Sequence, residues 1–197
     1  KVTGLEPLAM LTDLRVLVMP VDITDLAPLA TVKTLEELDL VGTRATDLTP
    51  LAGLDRLVRL NLAQASGVVD GAPLAGLAAL EVLDFTATGV MSLRWAKRLS
   101  ALKVLTLTDT AVEDLRPLAS LAALVSLDVA ATRVKRLPRL KRLVALEALV
   151  LTDTFVTKVW ALRKVATLKR LDLVGTEVPE AKVTKLREAL PECTIEY

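Results

Sequence analysis

The sequence predicts an α/β solenoid, one elongated domain made of stacked copies of a short unit. Three observations predict it. The segment LSALKVLTLTDTAVEDLRPLAS, residues 99–120, recurs along the chain, with copies starting at Leu11, Val32, Leu54, Leu77, Leu99, Leu121, Leu143 and Val165. These starts lie 21, 22, 23, 22, 22, 22 and 22 residues apart, a fixed period of the kind that marks a repeat array. Within each copy, apolar residues fall three apart and then two apart, which fits one short strand plus a return segment rather than a long helix. The last stretch, after Val178, changes to helical spacing and reads as a cap.

The strands are expected to centre on residues 16–19, 37–40, 59–62, 82–85, 104–107, 126–129, 148–151 and 170–173. Side chains alternate along a strand, so the two apolar residues of each LxL point inward and the residues around them face out. Stacked in parallel at ~4.8 Å, such strands form one continuous sheet whose outward side is the concave surface. After each strand a threonine recurs at Thr43, Thr88, Thr110, Thr132, Thr154 and Thr176, with Ala65 the exception. A hydroxyl there can satisfy backbone groups that an inward loop would bury unpaired, so the column reads as structural. The chain then returns along the convex side through Asp25-Leu26-Ala27-Pro28-Leu29, Asp47-Leu48-Thr49-Pro50-Leu51 and Asp114-Leu115-Arg116-Pro117-Leu118. In these segments Asp can cap a short helical turn and Pro can sit in its first turn.

With those positions filled, the pattern LxxLxxLxLxxTxVxDLxPLxx resembles the 22-residue leucine-rich repeats of bacterial internalins and of phosphatase-regulating proteins. The resemblance covers nearly the whole chain. It implies a right-handed solenoid with a parallel sheet on the concave face, short helical or 3-10 turns on the convex face, and protein binding as the role. It does not identify a partner, because such repeats bind unrelated proteins through residues between the motif positions.

The copies differ in instructive ways. Residues 1–10 read as a partial repeat lacking its strand, with Leu5 and Leu8 placed as Leu26 and Leu29 are later. Residues 11–178 supply about eight repeats and residues 179–197 the C-terminal cap, all within a single domain. Pro20 stands at the end of the first strand, where a missing donor is tolerated. The copy from Leu54 is one residue longer, and Gly67 and Gly71 in AQASGVVDGAP read as a bulge that absorbs the insertion. Trp95 takes the proline position of its copy and Trp160 the position before it, each expected to be partly exposed or to cover a neighbouring repeat. In the cap, Pro179 starts a helix that Pro191 stops, and a final strand runs through Ile195.

Composition narrows the function classes. With no histidine in the chain there is no Ser-His or Cys-His pair and no imidazole metal ligand, and no glycine-rich phosphate loop occurs, so catalytic residues, metal sites and cofactors are not expected. The 25 basic and 24 acidic residues nearly cancel, which argues against nucleic acid. Aromatic residues make up only 3%, few anchors for a tight interface. No apolar run approaches the ~18–20 residues of a membrane span. The lone Cys193 rules out an internal disulfide and favours a cytoplasmic setting, with the bacterial surface or secretion as the alternative. Cys193 itself reads as a small buried residue near the end of the array.

The outward columns of the sheet carry the candidate partner site. Glu37, Asp39, Arg59, Asn61, Asp84, Thr106, Asp128, Arg170 and Asp172 are expected on the concave face, with Phe155 at the rim as the one aromatic anchor. Including flanking positions, ten acids (Glu36, Glu37, Asp39, Glu81, Asp84, Asp109, Asp128, Glu147, Asp153, Asp172) face five bases (Arg15, Arg59, Lys103, Lys169, Arg170). A negative concave face would attract a protein partner with a basic segment. Charge on an open sheet also simply guards against association, and that reading stays open. From Arg133 to Lys164 nine bases meet two acids, mostly on the convex side, where they would either bind a phosphate-rich surface or solubilise the array.

The function expected is therefore a non-catalytic protein-interaction scaffold. Two alternatives stand beside it: a targeting or regulatory arm of a larger enzyme or effector, and an anionic-surface binder using the convex bases. The first strand has a neighbour on one side only and nothing comparable to the C-terminal cap. The sequence thus leads us to expect further structure before Lys1, or edge-to-edge self-association.

Overall fold

The computed structural model describes residues 8, 11, 13–19 and 21–197. The return segment expected over residues 1–10, apart from Leu8, and Pro20 lie outside the described residues. Nine strands form one parallel sheet in sequence order: β1 (Val16–Val18), β2 (Glu37–Asp39), β3 (Arg59–Asn61), β4 (Val82–Asp84), β5 (Val104–Thr106), β6 (Ser126–Asp128), β7 (Ala148–Val150), β8 (Arg170–Asp172) and β9 (Thr194–Glu196). The register places equivalent residues side by side, so that Leu38, Leu60, Leu83, Leu105, Leu127, Leu149, Leu171 and Ile195 form a single inward row. Return segments with short 3-10 turns at Ala27–Thr31, Thr49–Leu51, Ala72–Gly76, Ala96–Arg98, Arg116–Ser120, Leu140–Arg142 and Trp160–Lys164 line the opposite side. The fold is the expected leucine-rich repeat solenoid.

Each strand stops one residue before the expected end. Leu40 still donates its N–H to Asn61 at 2.8 Å, but its carbonyl turns back to accept Thr43 N–H at 3.0 Å. The strand ends there because the next three residues must reverse the chain inward. Threonine stabilises that reversal: the hydroxyls of Thr88, Thr110, Thr132, Thr154 and Thr176 donate to the carbonyls three residues earlier at 2.6–2.8 Å. Thr43 departs from the rest and donates to Ile23 O of the preceding repeat at 2.9 Å. These hydroxyls, buried in all but the half-buried Thr176, are structural, as the sequence predicts.

A second column sits one residue earlier. Gly42, Gln64, Ala87, Asp109, Ala131, Asp153 and Gly175 all have φ between 52° and 70°, the left-handed region. Six of them, Gly42 to Asp153, donate their N–H to the following repeat at 2.7–3.0 Å. The turn therefore keeps the left-handed conformation because each copy is bonded to the next, even where Ala or Asp must occupy it at a cost of ~1–2 kcal/mol.

On the convex side, Asp25, Asp47, Asp70 and Asp114 each accept the backbone N–H two residues on, at 2.8–2.9 Å. The aspartate thus stands one residue outside the turn it closes, with Pro at the first or second helical position. Bonds from Thr49 hold the Asp47 carboxyl below the usual carboxylate range, and bonds from Arg116 do the same for Asp114. Because both are depressed in the folded state, their support is present above the ordinary carboxylate range and lost as pH falls through the lowered values.

Trp95 is buried rather than exposed, its ring edge-on to Phe85 at 5.6 Å and its Nε1–H donating to Ser92 O at 2.8 Å. A Cβ on Gly71 would lie 2.3 Å from that ring. Gly71 is thus required by the close approach of Trp95, beyond any role in the bulge. Trp160, in contrast, is 45% exposed, with the Arg163 guanidinium 4.7 Å from its ring centre.

Helix α1 (Glu180–Ala189) closes the C-terminal end, burying Val183 and Leu186 against the last 3-10 turn, and Leu190 N–H returns to Leu186 O at 2.9 Å. Tyr197 OH donates to Val178 O at 2.6 Å and so ties the last strand to the segment before the helix. Cys193 is buried, and burial pushes its thiol pKa up.

Two substitutions check this account. Leu105 is fully buried, so Leu105→Ala is expected to cost ~2–5 kcal/mol in denaturant unfolding, and Thr106→Ala on the outward side far less. Equal losses would place the strand out of phase. Ala131→Gly is expected to stabilise the chain by ~0.5 kcal/mol, since relief of the left-handed strain exceeds the added entropy of the unfolded glycine. A destabilised Ala131→Gly protein would show that the turn is not strained.

Candidate protein-binding face

The outward positions of β2–β8 bring together most of the residues the sequence singles out. Arg59 and Arg170 are exposed, and Glu37, Asp39, Asn61, Asp84, Thr106 and Asp128 are half-buried. Phe155 is 54% exposed at the rim and donates its backbone N–H to Val134 O at 3.0 Å. Asp172 is the least accessible of the set. It is buried, 9% exposed, beside the last strand and opposite Glu196.

The central column does more than face solvent. Asp39, Asn61, Asp84, Asp128 and Asp172 each turn Oδ1 back to accept the backbone N–H two residues later, at 2.8–3.0 Å. Those bonds close the exit from the strand into the left-handed turn. Where the bond is made it uses a side-chain oxygen, not a charge, because Asn61 serves as well as aspartate does; Thr106 and Val150 precede the same left-handed turn without it. The second carboxylate oxygen of Asp84 and Asp128 makes no bond among the described residues.

The flanking columns neutralise themselves. Ion pairs join Arg15 to Glu36 at 3.4 Å, Arg59 to Glu37, Lys103 to Glu81 at 2.8 Å, Lys169 to Glu147 at 2.9 Å and Arg170 to Glu196 at 3.5 Å. Arg170 also stands 4.0 Å from Asp172. Every base of the face is thereby committed to an acid on an adjacent strand. Asp39, Asp84, Asp109, Asp128 and Asp153 remain with no ion pair among the described residues, so the negative charge of the face resides in these five carboxylates.

One feature of the face escapes a reading by charge alone. Val16 and Val18 on β1 are 55% and 69% exposed, and with Val82 they border a hollow of about 320 Å³ that also takes in Asp39, Arg59 and Asp84. The signal was present as Val16, Val18 and Val82 in outward columns that carry mostly polar residues in the other copies. Together the arrangement offers carboxylates along the sheet and an apolar hollow at one end. It holds no nucleophile paired to a base.

No protein-family model and no curated protein matches the sequence. Solved structures do. Internalin C2 of Listeria monocytogenes superposes with a TM-score of 0.78 at 25% identity, over 88% of this chain and 76% of that one. A leucine-rich repeat protein of Leptospira interrogans gives 0.87 at 21% identity, over 98% and 51%, and InlJ of L. monocytogenes gives 0.68 at 17%, over 98% and 46%. The chain thus spans about half the length of the latter two. In fold it is a leucine-rich repeat protein of the 22-residue type, similar to the bacterial internalins.

Proposed function

We propose that this chain is a non-catalytic interaction module that binds a protein partner with a basic segment through its concave face. The observation that carries the reading is the sorting of charge there: all five bases are spent on cross-strand pairs while Asp39, Asp84 and Asp128 keep theirs free. A row of unpaired carboxylates on a rigid sheet speeds encounter with a cationic segment, and the valine-bordered hollow at β1–β4 supplies apolar area for an anchor. Among the described residues no helix is long and apolar enough to cross a membrane.

The test follows from Asn61. Asp84→Asn with Asp128→Asn removes two charges while keeping the Oδ1 acceptor that each turn requires, so stability is expected to stay within ~0.5 kcal/mol. Reversal to Lys would remove the acceptor as well and mix the two effects. Binding of an Arg/Lys-rich peptide, followed by fluorescence anisotropy at low salt, is expected to weaken several-fold in the double variant, chiefly through slower association. Identical binding curves for the parent and the variant would exclude the concave carboxylates as the site.

A further inference from the structure

The convex side changes sign along the array. The position that closes each return turn reads Asp25, Asp47, Asp70, Ser92 and Asp114, and then Arg136 and Lys158. Where aspartate stands, it accepts a backbone N–H two residues on, and a base accepts none. The sixth repeat, LysArgLeuProArgLeuLysArg over 135–142, also starts its 3-10 turn late, with Arg139 extended at φ −70° and ψ 107°. The seventh repeat therefore gives up that hydrogen bond for positive charge at Lys158, whereas in the sixth the residue two on from Arg136 is Pro138, which has no N–H to offer. A local rule broken without structural gain points to function.

The bases converge on two neighbouring hollows. One, of about 590 Å³ between the fifth and sixth return turns, is lined by Lys97, Arg116, Arg139, Lys141 and Arg142 with no acid. The other, of about 730 Å³ between the sixth and seventh, is lined by Arg139, Lys141 and Lys164 around Leu143 and Val144, again with no acid. Of these six bases only Arg116 has an ion pair among the described residues, with Asp114. Val144 is 64% exposed, and Trp160 stands 45% exposed at the start of the seventh turn.

We infer that this convex quarter docks on an anionic phospholipid surface, with phosphate headgroups entering the two hollows. The apolar members decide for a lipid over a soluble polyanion. A dissolved sulfated or phosphorylated chain would use the bases alone. A bilayer interface takes Lys and Arg at the headgroups and seats Val144 and the Trp160 indole at the acyl boundary. The geometry agrees, because a convex arc meets a plane over a few repeats only, and the bases that line the two hollows lie on the fourth to seventh return turns.

The experiment is flotation of the whole chain with phosphatidylcholine vesicles and with phosphatidylcholine–phosphatidylserine vesicles, heparin serving as a soluble competitor. Binding is expected to the anionic vesicles alone and to fall with added salt. Arg139→Ser/Lys141→Ser/Arg142→Ser is expected to weaken it ~100-fold, from the loss of three bases near the surface. Val144→Ser is expected to weaken it a few-fold, and Lys164→Ser, on the next repeat, provides a milder charge change should the triple variant melt early. Asp84→Asn/Asp128→Asn is expected to leave vesicle binding intact, which separates this surface from the concave one. Absence of flotation with anionic vesicles would overturn the inference, as would undiminished flotation of both the triple and the Lys164 variants. Heparin bound more tightly than vesicles, with Val144→Ser unaffected, would overturn it in favour of a soluble polyanion.

Discussion

The fold rests on the register between successive repeats. No single copy can bury its own apolar face, because a three-residue strand and a short return turn enclose only half of each leucine. The other half is covered by the same leucine of the next copy. Parallel pairing with equivalent residues opposite one another, Leu105 against Leu83 and Leu127, turns one inward position into a continuous row. The sequence period must hold to within a residue for this to work, since a slip of one would send the row to the solvent side. The repeats of 21 and 23 residues keep strand register and take up their difference in the loops, where β1–β2 and β3–β4 remain aligned.

From that register the remaining structure follows as a series of parallel ladders. Threonine hydroxyls close the turn, left-handed residues pass their N–H groups to the next copy, and the outward Asp or Asn secures the strand exit. Each column meets one demand of the buried backbone. The demand recurs from repeat to repeat, and in the threonine column, Ala65 apart, so does the residue type that meets it. Columns with no such demand vary freely, and there the protein can place charge.

Much of this was legible in the sequence, because columns that answer a local demand repeat visibly. The strand positions, the threonine column and the terminal helix were read from spacing. The left-handed column was not, for it has no shared residue type: only Gly42 and Gly175 hint that Ala87, Asp109 and Ala131 adopt a strained turn. Relations between copies were missed for a different reason. Glu37 and Arg59, Glu81 and Lys103, and Glu147 and Lys169 are opposite charges one repeat apart, a separation at which a linear reading does not pair them. Asp172 looked like its column mates until the last strand closed beside it, and Gly71 looked like a loop residue until the Trp95 ring came against it.

The same reasoning explains how two faces of one thin array can carry opposite charge without conflict. Concave and convex columns are separated by the leucine core and answer different backbone demands, so a change in one leaves the other undisturbed. On the concave side the demand is for a side-chain oxygen, and Asn61 shows that it can be met without charge; aspartate in most of the other copies is then a choice beyond what the turn requires. On the convex side the demand is again for an oxygen, and Lys158 leaves it unmet. Departure from a column thus carries different information on each side: surplus charge where the rule is kept, and a forfeited bond where it is broken. Since a forfeited hydrogen bond lowers stability while surplus surface charge hardly does, the convex departure needs the stronger compensating cause.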